Sequence, residues 1–262
     1  MKQINLSFSY SVSVFIRSIL FTGLIGLISC EKENLPPDDT GDDQQTAVAY
    51  YKLQRVENLN AITDDNNPTV EKAEILFSLK YKKEQPSNYA KTVRWDISFS
   101  GLYNSFIGGN SKTDRSNTGY EGPGIGGVLI VEKAFEEVTD IPADNSFKTA
   151  KGVVGTDDAG AFGQGVGWYL YDFGGTIVGD GSYDKMHVAY AIGDSLKLKN
   201  NTLLKPRTIV VKTATGDYAK IKMISCYKDV FTPEKWFRNT PHMFFSFEYV
   251  IVPAGSKKFE IR

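Results

Sequence analysis

Cysteine and histidine are scarce in this chain, which contains only two of each. The cysteines, Cys30 and Cys226, are too few for a disulfide framework or a Cys-based metal site. The histidines, His187 and His242, are too few for a three-histidine zinc site, and no H-E-x-x-H motif occurs. The net charge is -1 and no basic block is present, which argues against nucleic-acid binding.

Sequence motifs that mark catalysis are also missing. The chain has neither the nucleophile motif G-x-S-x-G nor a P-loop. Residues 122–127 spell G-x-G-x-x-G, but a polar loop precedes them and a β-type run follows. A dinucleotide site needs a strand before the motif and a helix after it. A Ser–His–Asp triad or a carboxylate pair for glycoside hydrolysis stays open, because both depend on spatial separation. We expect a protein that is not an enzyme.

Long apolar runs are absent apart from residues 19–27, which follow Lys2 and Arg17. A charged segment before a short apolar one is typical of a secretory signal. Nine residues are too few to cross a bilayer, which takes roughly 20. The sequence therefore predicts export, with no membrane-spanning helix in the mature chain.

The end of this segment reads Leu27-Ile28-Ser29-Cys30 and resembles a lipobox. That resemblance implies that residues 1–29 are a removed signal peptide and that Cys30 carries the lipid anchor. Residues 30–45 are acidic and nearly free of apolar side chains, which predicts a flexible tether. Acidic residues after the cysteine resemble the surface-export signal of Bacteroidetes lipoproteins and imply the outer face of the outer membrane. An ordinary secretory peptide with an incidental cysteine is the alternative.

Strand patterns dominate residues 46–262, which we expect to form one domain. Apolar and polar residues alternate over 93–100, predicting that Trp95, Ile97 and Phe99 face a core while the polar residues face outward. Residues 208–212 and 218–226 predict a hairpin. The expected fold is all-β, a mostly antiparallel two-sheet domain with few short helices. Other predicted strands are 75–81, 128–131, 168–173, 187–192 and 243–251; predicted helices are 132–138 and 233–237.

Met186 and His187 are the first candidates for a binding site. Thioether sulfur and imidazole nitrogen are common axial donors to haem iron, and this pair follows a glycine-rich loop. Packing of Met186 beside a solvated His187 is the alternative. The aromatic residues Trp168, Tyr169 and Tyr171 either wall a planar ligand or fill a core. Met243 and Cys226 are better explained as core residues.

Three segments together resemble the HmuY family of haem-binding lipoproteins from Bacteroidetes. They are residues 93–99 with the glycine-bearing loop 107–111, residues 167–171, and the hairpin 207–227. The resemblance implies an all-β fold that holds haem between loops and strands. It also implies that the protein takes haem from host haemoproteins and passes it to a TonB-dependent outer-membrane receptor.

Iron ligands do not follow from the resemblance. The family's second ligand position falls near Phe173, which cannot bind iron, and residues 155–165 contain no His or Met. Met186 and His187 are therefore predicted from local chemistry, with Trp168, Tyr169 and Tyr171 as contacts to haem. The alternative function is a surface lipoprotein that binds glycan or protein without haem.

Overall fold

A computed structural model describes residues 46–61 and 63–262. The predicted signal peptide, Cys30 and the whole predicted tether lie outside these residues. Their boundaries, and the start of the domain at residue 46, stay predictions. No helix within the described ranges is long and apolar enough to cross a membrane.

The regular elements of the described residues are thirteen strands and six single-turn helices. The strands are β1 Gln54–Asn60, β2 Ile75–Ser78, β3 Lys83–Gln85, β4 Ile97–Ser100, β5 Phe106–Gly109, β6 Gly127–Val131, β7 Tyr169–Asp172, β8 Val188–Ala191, β9 Leu196–Lys197, β10 Leu203–Leu204, β11 Thr208–Lys212, β12 Tyr218–Tyr227 and β13 His242–Val252. The 3₁₀ helices are Ser87–Tyr89, Leu102–Asn104, Phe135–Glu137, Asp144–Ser146, Tyr183–Lys185 and Pro233–Lys235. The two predicted helices thus form, but each as one turn only.

Four antiparallel sheets are formed by these strands. The larger two have the orders β1-β13-β12-β11-β6 and β3-β2-β4-β5, and the smaller two are the pairs β7-β8 and β9-β10. Every strand pairing in them is antiparallel. The prediction of an all-β, mostly antiparallel fold is confirmed.

The two larger sheets pack face to face through aromatic side chains. Phe99 of β4 stacks on Phe245 of β13 with 4.6 Å between ring centroids, and Phe77 meets Phe247 edge-on at 5.6 Å. Alternate residues of β13 point to the opposite face, where Val250 joins a smaller apolar cluster. The five-stranded sheet is therefore covered on both faces, and the predicted two-sheet core is present.

The predicted hairpin forms between β11 and β12. Ile209 lies opposite Ile221 in the register, and the turn contains Gly216 at φ +96°, a conformation that glycine adopts without strain. Lys220 faces away from Ile221, as the alternation predicts, but it is buried. Its Nζ donates to the carbonyl oxygen of Val138 at 2.9 Å, which satisfies the ammonium away from water.

The expectation of a half-buried strand over residues 93–100 is wrong in two respects. Strand β4 begins only at Ile97, so residues 93–96 lie outside it, and its polar side is not exposed. Trp95 and Phe99 are fully buried as predicted, but Ser98 is only 2% exposed on the opposite face. Ser98 pairs with Gly108, and a Cβ on Gly108 would lie 2.9 Å from the backbone nitrogen of Gly152. A coil segment therefore covers the face that the alternation assigns to solvent, and alternation alone cannot reveal such cover.

Asp96 is the buried polar residue that joins this strand to its neighbours. Its carboxylate accepts hydrogen bonds from the backbone of Leu79 at 2.8 Å and of Ala214 at 3.3 Å. These bonds link the end of β2 to the hairpin turn. Burial raises the pKa of Asp96 to about 6, although the backbone donors oppose that rise.

Candidate functional site

Four rings form an exposed cluster at one end of β7 and β8. They belong to Phe162, Tyr171, Phe173 and His187, and we refer to them as the aromatic face. The centroids of Phe173 and His187 are 4.6 Å apart, and those of Phe162 and Phe173 are 5.7 Å apart, both in edge-to-face geometry. Phe162 is 78% exposed and Phe173 is 49% exposed. Contiguous exposed rings of this kind mark binding surfaces on soluble domains.

The period of β7 explains how this face arises. Tyr169, Tyr171 and Phe173 share one side of the strand because side chains alternate. Exposure increases along that side, from 7% at Tyr169 to 49% at Phe173, with Tyr171 half-buried between them. The strand therefore carries its aromatic row from the core out to the surface.

His187 is held against this row by two hydrogen bonds. Its backbone nitrogen donates to the carbonyl oxygen of Phe173 at 3.1 Å, and its Nδ1 lies 2.8 Å from Oη of Tyr171. Its φ is +59°, in the left-handed region that few non-glycine residues adopt. Partial burial, together with the charge of Arg238, lowers the pKa of His187 below its usual value. The lowered pKa favours the neutral imidazole, which is the form that can donate a lone pair.

The loop after β7 is organised by the buried carboxylate of Asp172. Its Oδ2 accepts hydrogen bonds from the backbone nitrogens of Ile177, Val178 and Gly179 at 2.9 to 3.2 Å. Several backbone donors on one carboxylate fix a loop without a regular element. The 3₁₀ helix Tyr183–Lys185 follows this loop and ends two residues before His187.

The loop that carries Phe162 is anchored by a buried ion pair. Asp157 is fully buried, and its Oδ2 lies 3.1 Å from Nη2 of Arg207, which is 5% exposed. The same oxygen accepts a hydrogen bond from the backbone of Gly167 at 3.0 Å, closing the loop. At the tip, the backbone nitrogen of Ala161 donates to the carbonyl oxygen of Tyr171 at 2.8 Å. Phe162 is thereby placed beside the aromatic row.

The structure brings together only some of the residues predicted for the site. Tyr171 and His187 are hydrogen-bonded, and Met186 is half-buried next to His187. Trp168 is 1% exposed and donates from Nε1 to the carbonyl of Ser105 at 2.7 Å. Tyr169 is also in the core. These two rings therefore belong to the core and form no part of the exposed aromatic face.

Phe162 and Phe173 were not among the residues predicted for the site. One sequence signal points to Phe162: it is an isolated large apolar residue within the glycine-rich run 160–165. Apolar residues in such loops seldom contribute to a core. Phe173 has no comparable signal, because it follows an aromatic strand whose inner residues are buried.

His242 and Cys226 are not part of the aromatic face. His242 bonds through Nδ1 to the carbonyl of Thr240 at 2.9 Å and through Nε2 to Asp65 at 3.1 Å. Met243 is 5% exposed and packs in the core, as predicted. Cys226 is also buried, as predicted, and burial raises the pKa of its thiol to about 12. Within the described ranges, no three His, Cys, Asp or Glu side chains are grouped to hold a metal ion.

Two cavities of the described structure are bordered by none of the four residues of the aromatic face. One is bordered by Tyr51 and by residues 256–262, and the other by Tyr103 and residues 63–72. The aromatic face is an open surface by comparison. A ligand bound there would be covered on one side by rings and would stay accessible on the other.

Comparison with known proteins gave a distant structural likeness. No protein-family model and no curated protein matches the chain. Among solved structures, the crystal structure of an apo HmuY analog from Tannerella forsythia is similar, with 14% sequence identity and a TM-score of 0.33. The alignment covers 76% of this chain and 97% of that protein. At this level of likeness, membership of the HmuY family stays a prediction from the sequence segments.

Proposed function

We propose that this chain is a haem-binding surface lipoprotein and that the aromatic face is its binding site. The hydrogen bond between Tyr171 Oη and His187 Nδ1, 2.8 Å long and surrounded by exposed rings, is the observation that supports this most directly. Histidines that bind iron through Nε2 almost always donate from Nδ1 to a fixed acceptor. The oxygen of Tyr171 is placed to be that acceptor.

The residues present fit haem in their chemistry. Haem is a broad apolar disc, so apolar side chains supply most of its binding energy and the axial bond sets its orientation. Phe162, Phe173 and the ring of Tyr171 would contact the disc, and His187 would supply an axial nitrogen. Met186, adjacent to His187, is a second candidate donor. Tyr171 is a third, because a phenol whose proton passes to a neutral imidazole becomes an oxygen ligand.

An open site suits a protein that passes its ligand on. By the family resemblance, the proposed role is to take haem from host haemoproteins and deliver it to a TonB-dependent outer-membrane receptor. A partner surface can approach a haem held on one face without prior opening of a closed pocket. The lipid anchor proposed at Cys30 would keep the domain at the cell surface beside such a receptor.

The proposed anchor gives a separate prediction. Replacing Cys30 with Ala removes the only thiol that the lipobox offers for lipidation, and the described residues contain no spanning helix. The Cys30→Ala protein is expected in the soluble fraction after cell lysis, while wild type remains with the outer membrane. A Cys226→Ala protein is the matched control and should fractionate like wild type. Membrane association of Cys30→Ala at the wild-type level would contradict the anchor.

Haem binding itself is tested by a visible-spectrum titration of the purified protein between pH 5 and 8. A shifted Soret band with one-to-one stoichiometry is the expected result at pH 7. Only neutral imidazole binds iron, so acidification should weaken binding through His187 as the pH falls through its pKa. Because that pKa is lowered, the loss should occur below pH 6.5. A Met186 ligand would show no protonation step.

Binding of glycan or protein without haem is the second candidate function. Its support is the exposure of Phe162, 78%, since flat exposed rings stack well on sugar faces or on another protein. The same titration separates the two candidates. Absence of a Soret shift at every pH would remove haem and favour this alternative.

A further inference from the structure

Arg238 places a positive charge beside the segment that leads to His187. It lies three residues after the 3₁₀ helix Pro233–Lys235, and its backbone nitrogen donates to the carbonyl of Asp184 at 2.8 Å. Its guanidinium carbon is 4.4 Å from the ring centroid of Tyr183, which is 62% exposed. Stacking on a ring orients a guanidinium while leaving its edge donors available.

Arg238 is tied to the site through the backbone, because Asp184, whose carbonyl accepts its backbone N–H, lies three residues before His187. The charge of Arg238 contributes to the lowered pKa of His187, and it opposes the rise that burial gives the pKa of Tyr171. Among the described residues, no carboxylate forms an ion pair with Arg238. A half-buried guanidinium without a counter-ion, beside an apolar surface, is the arrangement that recognises an anionic group on an apolar ligand.

Lys185 is the neighbouring cation, and its ammonium group is occupied by contacts within the protein. Its Nζ donates to the carbonyl of Trp236 at 3.0 Å and lies 3.8 Å from the ring centroid of Phe237. These contacts join the segment before His187 to the segment that carries Arg238. The two cations therefore differ: Lys185 fixes the loop through backbone carbonyls, whereas Arg238 has no carboxylate partner among the described residues.

We propose that Arg238 binds a carboxylate of the ligand that occupies the aromatic face. This inference rests on the proposed function, in which the ligand is haem and the carboxylate is one of its two propionates. The guanidinium would fix the in-plane orientation of the porphyrin, which neither the rings nor an axial donor can set. Arg238 would also select against uncharged porphyrins.

The test compares haem with haem dimethyl ester, in which both propionates are neutral, by spectral titration. Wild type is expected to bind haem about 10-fold more tightly than the ester, the scale of one charge-assisted hydrogen bond. Arg238→Gln should lose this preference, with weaker binding of haem and unchanged binding of the ester. Arg238→Lys should keep most of it. Arg115→Gln, which changes an exposed arginine in the loop 111–119 and no residue of the aromatic face, is the control and should behave like wild type.

The possible results distinguish failure of carboxylate binding by Arg238 from failure of haem binding as a whole. If Arg238→Gln keeps the wild-type preference for haem over the ester, then Arg238 does not bind the carboxylate, although haem binding stands. If neither compound binds to any variant, both proposals fall. Thermal unfolding of each variant shows whether loss of stacking on Tyr183 has disturbed the fold. Unchanged binding of the ester shows that the aromatic face itself is intact in the variant.

Discussion

Arg207→Ala is expected to lower the free energy of unfolding by about 3–5 kcal/mol, because it leaves the carboxylate of Asp157 buried without its counter-ion. Asp157 is fully buried, and Arg207 contacts it through both Nε and Nη2 at 3.2 and 3.1 Å. Solvent cannot replace the lost charge at this depth. Urea unfolding of wild type and variant, followed by tryptophan fluorescence, measures the difference.

Lys212→Ala is the matched control for this prediction. It breaks the ion pair with Asp144, whose side chain is 58% exposed, and such surface pairs are worth about 1 kcal/mol or less. A loss in Arg207→Ala no larger than that of the control would show that Asp157 does not depend on its partner. The double variant Asp157→Asn, Arg207→Met removes both charges and should recover part of the stability.

His187→Ala is expected to weaken haem binding about 100-fold and to change the Soret spectrum, because it removes the axial nitrogen. Tyr171→Phe removes only the hydrogen-bond partner of Nδ1, so it should weaken binding by about 10-fold or more while keeping the type of spectrum. Met186→Ala should have a smaller effect than either. Spectral titrations of the three variants measure these differences.

The three variants also identify the ligand if His187 is not it. A spectrum that changes in Tyr171→Phe, with little effect of His187→Ala, would assign the iron to the phenol oxygen. A change in Met186→Ala alone would assign it to the thioether. Haem binding that survives all three substitutions unchanged would place the site away from the aromatic face.

Local patterns in the sequence were sufficient to predict most of the fold. Period-2 alternation located β4 and β13, and the glycine turn located the β11–β12 hairpin, because both signals depend on neighbouring residues only. The burial of Asp96 and Ser98 escaped prediction because a distant segment covers their side of the sheet. Such cover depends on the tertiary path of the chain, which alternation does not encode.

The candidate site was predicted less completely, for the same physical reason. Tyr171 and His187 were both singled out, but their hydrogen bond depends on the pairing of β7 with β8. Phe162 reaches the site through the loop held by Asp157, whose partner is 50 residues away. Arg238 arrives from the segment between β12 and β13. Contacts between residues so far apart in sequence cannot be read from the pattern of any one segment.

The central claim is that haem binds at the aromatic face, and one titration tests it most directly. Haem is added to wild type, Phe173→Ser and Leu53→Ser at pH 7 while the Soret band is followed. Phe173 and Leu53 are 49% and 47% exposed, but Leu53 directly precedes β1 and is not part of the aromatic face. Bound haem would cover the ring of Phe173, so Phe173→Ser should weaken haem binding by about 10- to 100-fold. Leu53→Ser should bind like wild type. Equal affinity of all three proteins for haem, or no Soret shift in any of them, would contradict the account.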